Sequence, residues 1–343
     1  MIILTEEGIR ENLFPFTHTR HTADIRIGIL TIREKWEMLT GDKVSTDGNE
    51  QGIPVPANLI PTPENFEGIL HSVRNNICVT ESDSVKFINH PQHIFQLNDY
   101  ALRQDFLIVT KGKTSEKIDE TNKVINPENI FIEPGAKVSH SILNALAGPV
   151  YIGRNAEIME GNMIRGGFSL GQNSVLKMGS KIYGATTIGP NCVAGGEIKN
   201  SVLFGNSNKA HDGYLGDSVL GEWCNLGAGT SNSNVKNTGG EVYIKTGENT
   251  KAEKAGNKAG LLMGDYSRCA INTTFNTGST VGVCCNIFGG DTPVKYTENF
   301  TWGNERYIFE KALEHIGNWK KMKNKIITEE ETETLKKIYN ANN

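Results

Sequence analysis

The sequence predicts a mainly β protein: a parallel β-helix of hexapeptide-repeat type, with a small N-terminal α/β domain, a connecting helix and C-terminal helices. Three observations predict it. Counting in sixes from Ile152 gives Ile158, Ile164, Leu170, Leu176, Ile182 and Ile188, all of them Ile or Leu. Glycine follows the aliphatic residue at Gly153, Gly171 and Gly189, once every three hexads. Glycine is also abundant, 37 residues against 11 prolines, which fits many tight turns of one kind. Neither the helical period of about 3.6 nor the strand period of about two produces a period of six. A coil with three flat faces does. One aliphatic side chain per face points inward, small residues turn the corners, and stacked coils bury a continuous column.

The elements follow in chain order. Residues 1–90 mix short apolar segments (25–32 and 68–73) with turns around Pro54, Pro56, Pro61 and Pro63, and read as a small α/β domain. Residues 91–126 form a connecting arm; Phe95, Leu97, Ala101, Leu102 and Phe106 suit an amphipathic helix over 93–107. Residues 127–293 carry the repeat. Leu146 extends it backward. After 190 the register slips, then resumes at Leu215, Leu220 and Leu226 and again at Met263, Cys269, Phe275, Val281 and Ile287. Residues 235–260 break the period and read as a loop extruded from the coil, a place where solenoids often build binding sites. Residues 294–343 hold two charged amphipathic helices, over 304–322 and 328–340, expected to cap the open end of the solenoid.

Composition narrows the partners. The chain has 343 residues, 35 basic and 39 acidic, for a net charge of −4. That balance argues against nucleic acid as the main partner. No run approaches the apolar length of a membrane span. The N-terminus lacks the features of a signal peptide, so a cytoplasmic location is expected. None of the six cysteines forms a C-x-x-C pair, which predicts reduced, buried thiols rather than disulfides or a metal site.

The candidate chemistry sits in the repeat. His140 and His211 are the histidines near it, too few for a zinc site of three imidazoles per metal within such a coil. His211 lies in a polar stretch with Lys209 and Asp212; a lone histidine is more often structural, and a general base is the alternative it leaves open. Arg165, Glu197, Lys199, Tyr214, Asn225 and Asn234 cluster around it in sequence; a solvated outer face is the competing account. Two H-x-x-H pairs, His18/His21 and His90/His93, lack a carboxylate at fixed spacing, and no metal site is assigned. Arg20 and Arg26 are candidate contacts for a nucleotide phosphate.

Residues 197–230 carry E-I-K-N, then K-A-H, then Y-L-G-D, then N-L-G-A-G-T. This run resembles the acetyltransferase half of the bifunctional N-acetylglucosamine-1-phosphate uridyltransferase / glucosamine-1-phosphate N-acetyltransferase family, and residues 13–36 and 88–106 resemble a divergent bacterial branch of it. The resemblance implies a left-handed β-helix, a homotrimer, acetyl-CoA as co-substrate and an amino-sugar phosphate as acceptor, in UDP-N-acetylglucosamine biosynthesis. It implies catalytic roles for His211 and Glu197 and substrate contacts from Arg165, Lys199, Tyr214, Asn225 and Asn234. It places Gly227, Ala228 and Gly229 beside the coenzyme, where their N–H groups would steady the thioester oxyanion. The family's tyrosine after Asn234 is absent, as Val235 stands there. The glycine-rich nucleotide loop is also absent, so uridyl transfer, with its Mg²⁺, is expected only if a different phosphate cradle serves it. The first 90 residues are then expected to be dispensable for acetyl transfer. Two other functions remain open: a sugar-phosphate nucleotidyltransferase with a structural β-helix, and a non-catalytic sugar-nucleotide-binding scaffold.

Overall fold

The computed structural model describes residues 1–343 apart from Asn249, Asp291, Asn342 and Asn343. Its centre is a parallel β-solenoid whose coils contribute to three sheets. The first face runs from Lys123–Ile125 through Ile142–Asn144, Met163–Arg165, Lys181–Tyr183 and Glu197–Lys199 to Tyr214–Gly216. The second runs from Ile130–Ile132 to Tyr296–Thr297, and the third from Lys137–Val138 to an antiparallel hairpin, Thr301–Trp302 with Glu305–Arg306. Pairing therefore begins before residue 127 and continues past 293.

Every residue of the two hexad series, 152–188 and 263–287, lies in the buried interior column. Leu146 does not. It is 70% exposed in the bend after the strand Ile142–Asn144, whose inward residue is Leu143, in register with Ile164. The glycine periodicity has a steric cause. A Cβ on Gly171 would meet the Gly189 carbonyl carbon at 2.6 Å, and one on Gly264 would meet that of Gly282 at 2.8 Å. The corner after the second face closes only where the stacked residues lack side chains.

The corner between the second and third faces uses left-handed backbone at Asn155, Asn173, Asn191 and Asn206. Asparagine tolerates that conformation; bulky residues pay about 1–2 kcal/mol for it. Yet the same corner continues through Trp223, Tyr266, Cys284 and Phe300. These four are buried in a separate cluster with Ala312 and Ile316 of one C-terminal helix (Phe309–Lys321) and Leu335 and Ile338 of the next (Glu329–Ala341). Burial offsets the strain. The two helices thus flank this corner rather than cap the end, where the terminal hairpin finishes the third sheet.

The N-terminal α/β unit has a parallel strand pair, Ile2–Thr5 with Ile53–Pro56, and helices Ile32–Thr40 and Phe66–Arg74. The arm is the short helix His93–Gln96 followed by Asn98–Thr110. Lys35 and Asp105, both fully buried and 2.5 Å apart, tie unit and arm together. Unit and arm seal the second face: Val202, Phe204, Val219 and Leu262 share one hydrophobic cluster with Leu13, Phe16, Ile25 and Trp36. At Gly28, with φ +71°, a Cβ would strike Asp105 at 2.5 Å, and the Gly28 carbonyl accepts from Thr187 of the second face at 2.8 Å. The 235–260 insertion belongs to the same core. Val242, Ile244, Ala255 and Ala259 pack into it, and Gln96 donates to the Ala255 carbonyl at 2.8 Å. The shared core is at odds with the expectation that the first 90 residues are dispensable. Of the cysteines, five are buried thiols and Cys78 is exposed, all unpaired.

Candidate functional site

With the second face sealed and the corner beside it flanked by helices, the first face stays open. Its strands present two outward columns, set by register. One is Met163, Lys181, Glu197, Tyr214; the other carries Tyr183, Lys199 and Gly216, with Arg165 next below Tyr183. Leu143, Ile164, Ile182, Ile198 and Leu215 point inward between them. Stacked strands lie about 4.8 Å apart, so Arg165 and Lys199 are two rungs, roughly 10 Å, from each other. Arg165 is exposed and Lys199 half-buried. The structure thus brings Arg165, Glu197, Lys199 and Tyr214 onto one surface.

Glu197 is not free. The Tyr183 hydroxyl donates to its Oε1 at 2.5 Å, and this bond, with burial, pushes the Tyr183 phenol up to about 12. Tyr214 accepts from Asn234 Nδ2 at 3.1 Å, and burial beside Asp217 pushes its phenol up. Asp217 in turn accepts from Asn200 at 2.7 Å and from Asn234 at 2.5 Å. Asn234 therefore ties the start of the 235–260 insertion to Tyr214 and Asp217 at the upper end of the first face.

His211 sits at the corner between the third-face strand Asn208–Lys209 and the first-face strand Tyr214–Gly216. Its side chain is exposed. Asn225 is on the third face, where its Oδ1 accepts from Asn208 at 3.4 Å. Gly227–Gly229 form the corner one coil above His211. Gly227 already donates to the Cys269 carbonyl at 3.1 Å and Gly229 to the Asp212 carbonyl at 3.0 Å. Two of the three N–H groups expected for an oxyanion are thus spent on stacking the coils.

Arg20 and Arg26 are committed elsewhere. Arg20 pairs with Asp265 of the solenoid and lies 4.9 Å over the Phe204 ring. Arg26 donates to the Ile29 carbonyl and to Glu34 at 3.3 Å. Neither reaches the first face. Of the H-x-x-H pairs, His18 stacks on Phe14 at 3.7 Å and His21 Nδ1 accepts from the Ala23 N–H at 3.1 Å, while His90 and His93 lie edge to face with ring centroids 5.3 Å apart. Among the described residues no group of three His, Cys, Asp or Glu side chains is placed to hold a metal ion.

The sequence alone does not bring Tyr183, Asn200, Asp217 or Lys209 into this group of neighbours. Register could have found Tyr183, which lies one coil below Lys199. Lys209 falls six residues after Leu203 and six before Leu215, at a phase that otherwise takes aliphatic residues.

Residues 2–47 match a family described as sugar nucleotidyl transferase. Over 118 residues the chain is 30% identical to the bifunctional protein GlmU of Methanocaldococcus jannaschii, covering 34% of this chain and 28% of that one. It is 33% identical over 94 residues to the bifunctional sugar-1-phosphate nucleotidylyltransferase/acetyltransferase of Sulfurisphaera tokodaii, covering 27% and 23%. It is 30% identical over 103 residues to the GlmU protein of Picosynechococcus sp., covering 30% and 19%. The matches span about a quarter of these relatives' lengths. The relatives are archaeal and cyanobacterial, so the likeness is to GlmU-like bifunctional proteins broadly and not to one bacterial branch. Together with the repeat fold, these likenesses support a transferase. No helix among the described residues is long and apolar enough to cross a membrane.

Proposed function

We propose that the protein is an acetyl-CoA-dependent N-acetyltransferase acting on an amino-sugar phosphate of the glucosamine-1-phosphate kind. The observation that carries this reading is the register of Glu197, Lys199 and Tyr214 on the open first face, beside the corner that exposes His211. An ammonium cannot attack a thioester, so the acceptor amine must first lose a proton. The imidazole of His211, exposed at that corner, has a ring nitrogen that can take it. Lys199, with Arg165 two rungs below, supplies cations for the sugar phosphate. Tyr214, oriented by Asn234, offers a hydroxyl to the sugar, and Asn225 and Asn234 offer amides. Glu197, held by Tyr183, faces the acceptor and not the imidazole. Of the turn beside the coenzyme, Ala228 retains the N–H that no coil-stacking bond takes up.

An open face lined by Ile142 and Met163, 40% and 45% exposed, fits a homotrimer in which a second copy closes the site. Acetyl-CoA is the co-substrate, and the product would serve UDP-N-acetylglucosamine synthesis.

A second reading, nucleotidyl transfer to a sugar phosphate with Mg²⁺, is favoured by the family match at residues 2–47. It needs phosphate contacts other than Arg20 and Arg26. The two are separated by one coupled assay: acetyl-CoA with glucosamine-1-phosphate, and separately UTP, Mg²⁺ and N-acetylglucosamine-1-phosphate. Thiol release in the first arm supports the proposal; pyrophosphate release in the second alone overturns it.

A further inference from the structure

Lys209 is a lysine in the interior of a solenoid. On the third face its slot is filled in other coils by Val138, Ile158, Leu176, Ala194, Leu226, Cys269 and Ile287, all buried and all apolar. Lys209 itself is 2% exposed. Among the described residues no carboxylate forms an ion pair with it. Burying an ammonium without an ion pair is costly, and burial pushes this one down to about 8 against the attraction of Asp212. The compensation is local: Nζ donates to the Gly195 carbonyl at 3.0 Å and to the His211 carbonyl at 2.5 Å.

We infer that Lys209 is the positioning residue for His211, holding from inside the coil the backbone that aims the imidazole outward. This rests on the reading of His211 as the base.

Three further contacts make the corner rigid enough for such a role. A Cβ on Gly196, at φ +74°, would meet the His211 carbonyl at 2.7 Å and Lys209 Nζ at 2.9 Å, so the corner below presses directly on this one. From above, the Gly229 N–H donates to the Asp212 carbonyl at 3.0 Å. A Cβ on Gly213 would meet the Thr230 carbonyl at 2.1 Å. Residues 210–213 are thus held between two coils, with the His211 ring the part that faces solvent. In other acid–base sites a third side chain orients the imidazole. Glu197, the other residue to which the resemblance gives a catalytic role, has Oε1 bound by Tyr183. Within the chain the aim of His211 is set through its backbone.

The test is Lys209→Met, which keeps an unbranched apolar stem in an apolar slot and removes both donors. A misplacement on the order of 1 Å costs about 10²-fold in rate. The expected result is a fall of about that size in kcat for acetyl transfer, with KM for both substrates within roughly twofold and the fold intact by circular dichroism. A variant that loses thermal stability but keeps kcat overturns the inference, since the lysine then serves packing alone. A readout independent of acetyl transfer is the His211 ring signal in ¹H–¹³C NMR, assigned by its loss in His211→Ala. Its shift or broadening in Lys209→Met supports the clamp, and an unchanged signal overturns it. Should the wild type transfer no acetyl group while this signal still moves, the proposed function fails and the positioning role stands.

Discussion

Arg20 and Asp265, 245 positions apart, form a buried ion pair that joins the N-terminal unit to the solenoid. Thr19 donates to the same carboxylate oxygen at 2.6 Å, and Asp265 Oδ1 accepts the Glu222 N–H at 2.8 Å. One aspartate therefore fixes both a solenoid corner and the segment docked on it. Removing one partner of a buried pair strands the other, at about 3–5 kcal/mol. Asp265→Ala is expected to destabilise by that order in urea unfolding. A loss below about 1 kcal/mol, as for a surface pair, would refute the role. Truncation to residue 88 onward should go further. It uncovers Val202, Phe204, Val219 and Leu262, and the product is expected to aggregate; a soluble, active fragment would contradict the shared core.

His18 makes stability fall in acid. Its ring stacks on Phe14, and burial, aided by Arg10, pushes the imidazole down to about 4 from 6.5. Between those values the unfolded chain binds a proton that the folded chain refuses. Stability is thus full above pH 6.5 and declines as pH falls toward 4, by about 3 kcal/mol in total. His18→Gln should flatten this limb. Urea midpoints at pH 7 and pH 4.5, in wild type and variant, check it; parallel losses in both would assign the acid sensitivity elsewhere.

The hexads were legible because each inward slot admits almost nothing but an aliphatic side chain, so packing writes itself into the sequence at a fixed period. The site columns were legible only in part. Glu197, Lys199 and Tyr214 carry a motif, but Tyr183 becomes visible only once register stacks it beneath Lys199. In the sequence Lys209 reads as a polar neighbour of His211 and not as an inward residue, because the step of five before Leu203 hides the phase. The docking of the N-terminal unit was not legible at all. Val202, Val219 and Leu262 alternate with inward residues as outward positions on any strand would, and nothing local says what covers them. The same holds for the insertion, whose apolar residues Val242, Ile244, Ala255 and Ala259 have a partner only in three dimensions.

Self-association is expected through the first face. Its lower rungs carry Ile125, Ile142 and Met163, each at least 40% exposed, the last on the same rung as Arg165 and below Lys199. Met163→Glu puts a charge into that patch without touching the interior. Light scattering at micromolar concentration should give a trimer for the wild type and a smaller species for the variant, with little change in Tm. A monomeric wild type would end the trimer proposal, and an unaffected trimer in Met163→Glu would move the interface off this face.

His211→Ala is expected to lower kcat for acetyl transfer by about 10²–10⁴, the usual worth of a positioned general base. KM for acetyl-CoA should change little, since the imidazole acts on the amine and not on the coenzyme. The ring is exposed and fills no interior space, so the substitution should leave Tm nearly unchanged. That separates the catalytic account from packing more sharply than the sequence allowed. A packing histidine would lower Tm and spare kcat. The pH profile gives a further check. If the ring is the base, the kcat–pH profiles of wild type and variant should differ in shape, since only the wild type carries the group that takes the proton. Should kcat and its pH profile both survive the substitution, the acceptor amine is deprotonated by another group, and the first-face columns would mark a binding surface without a base.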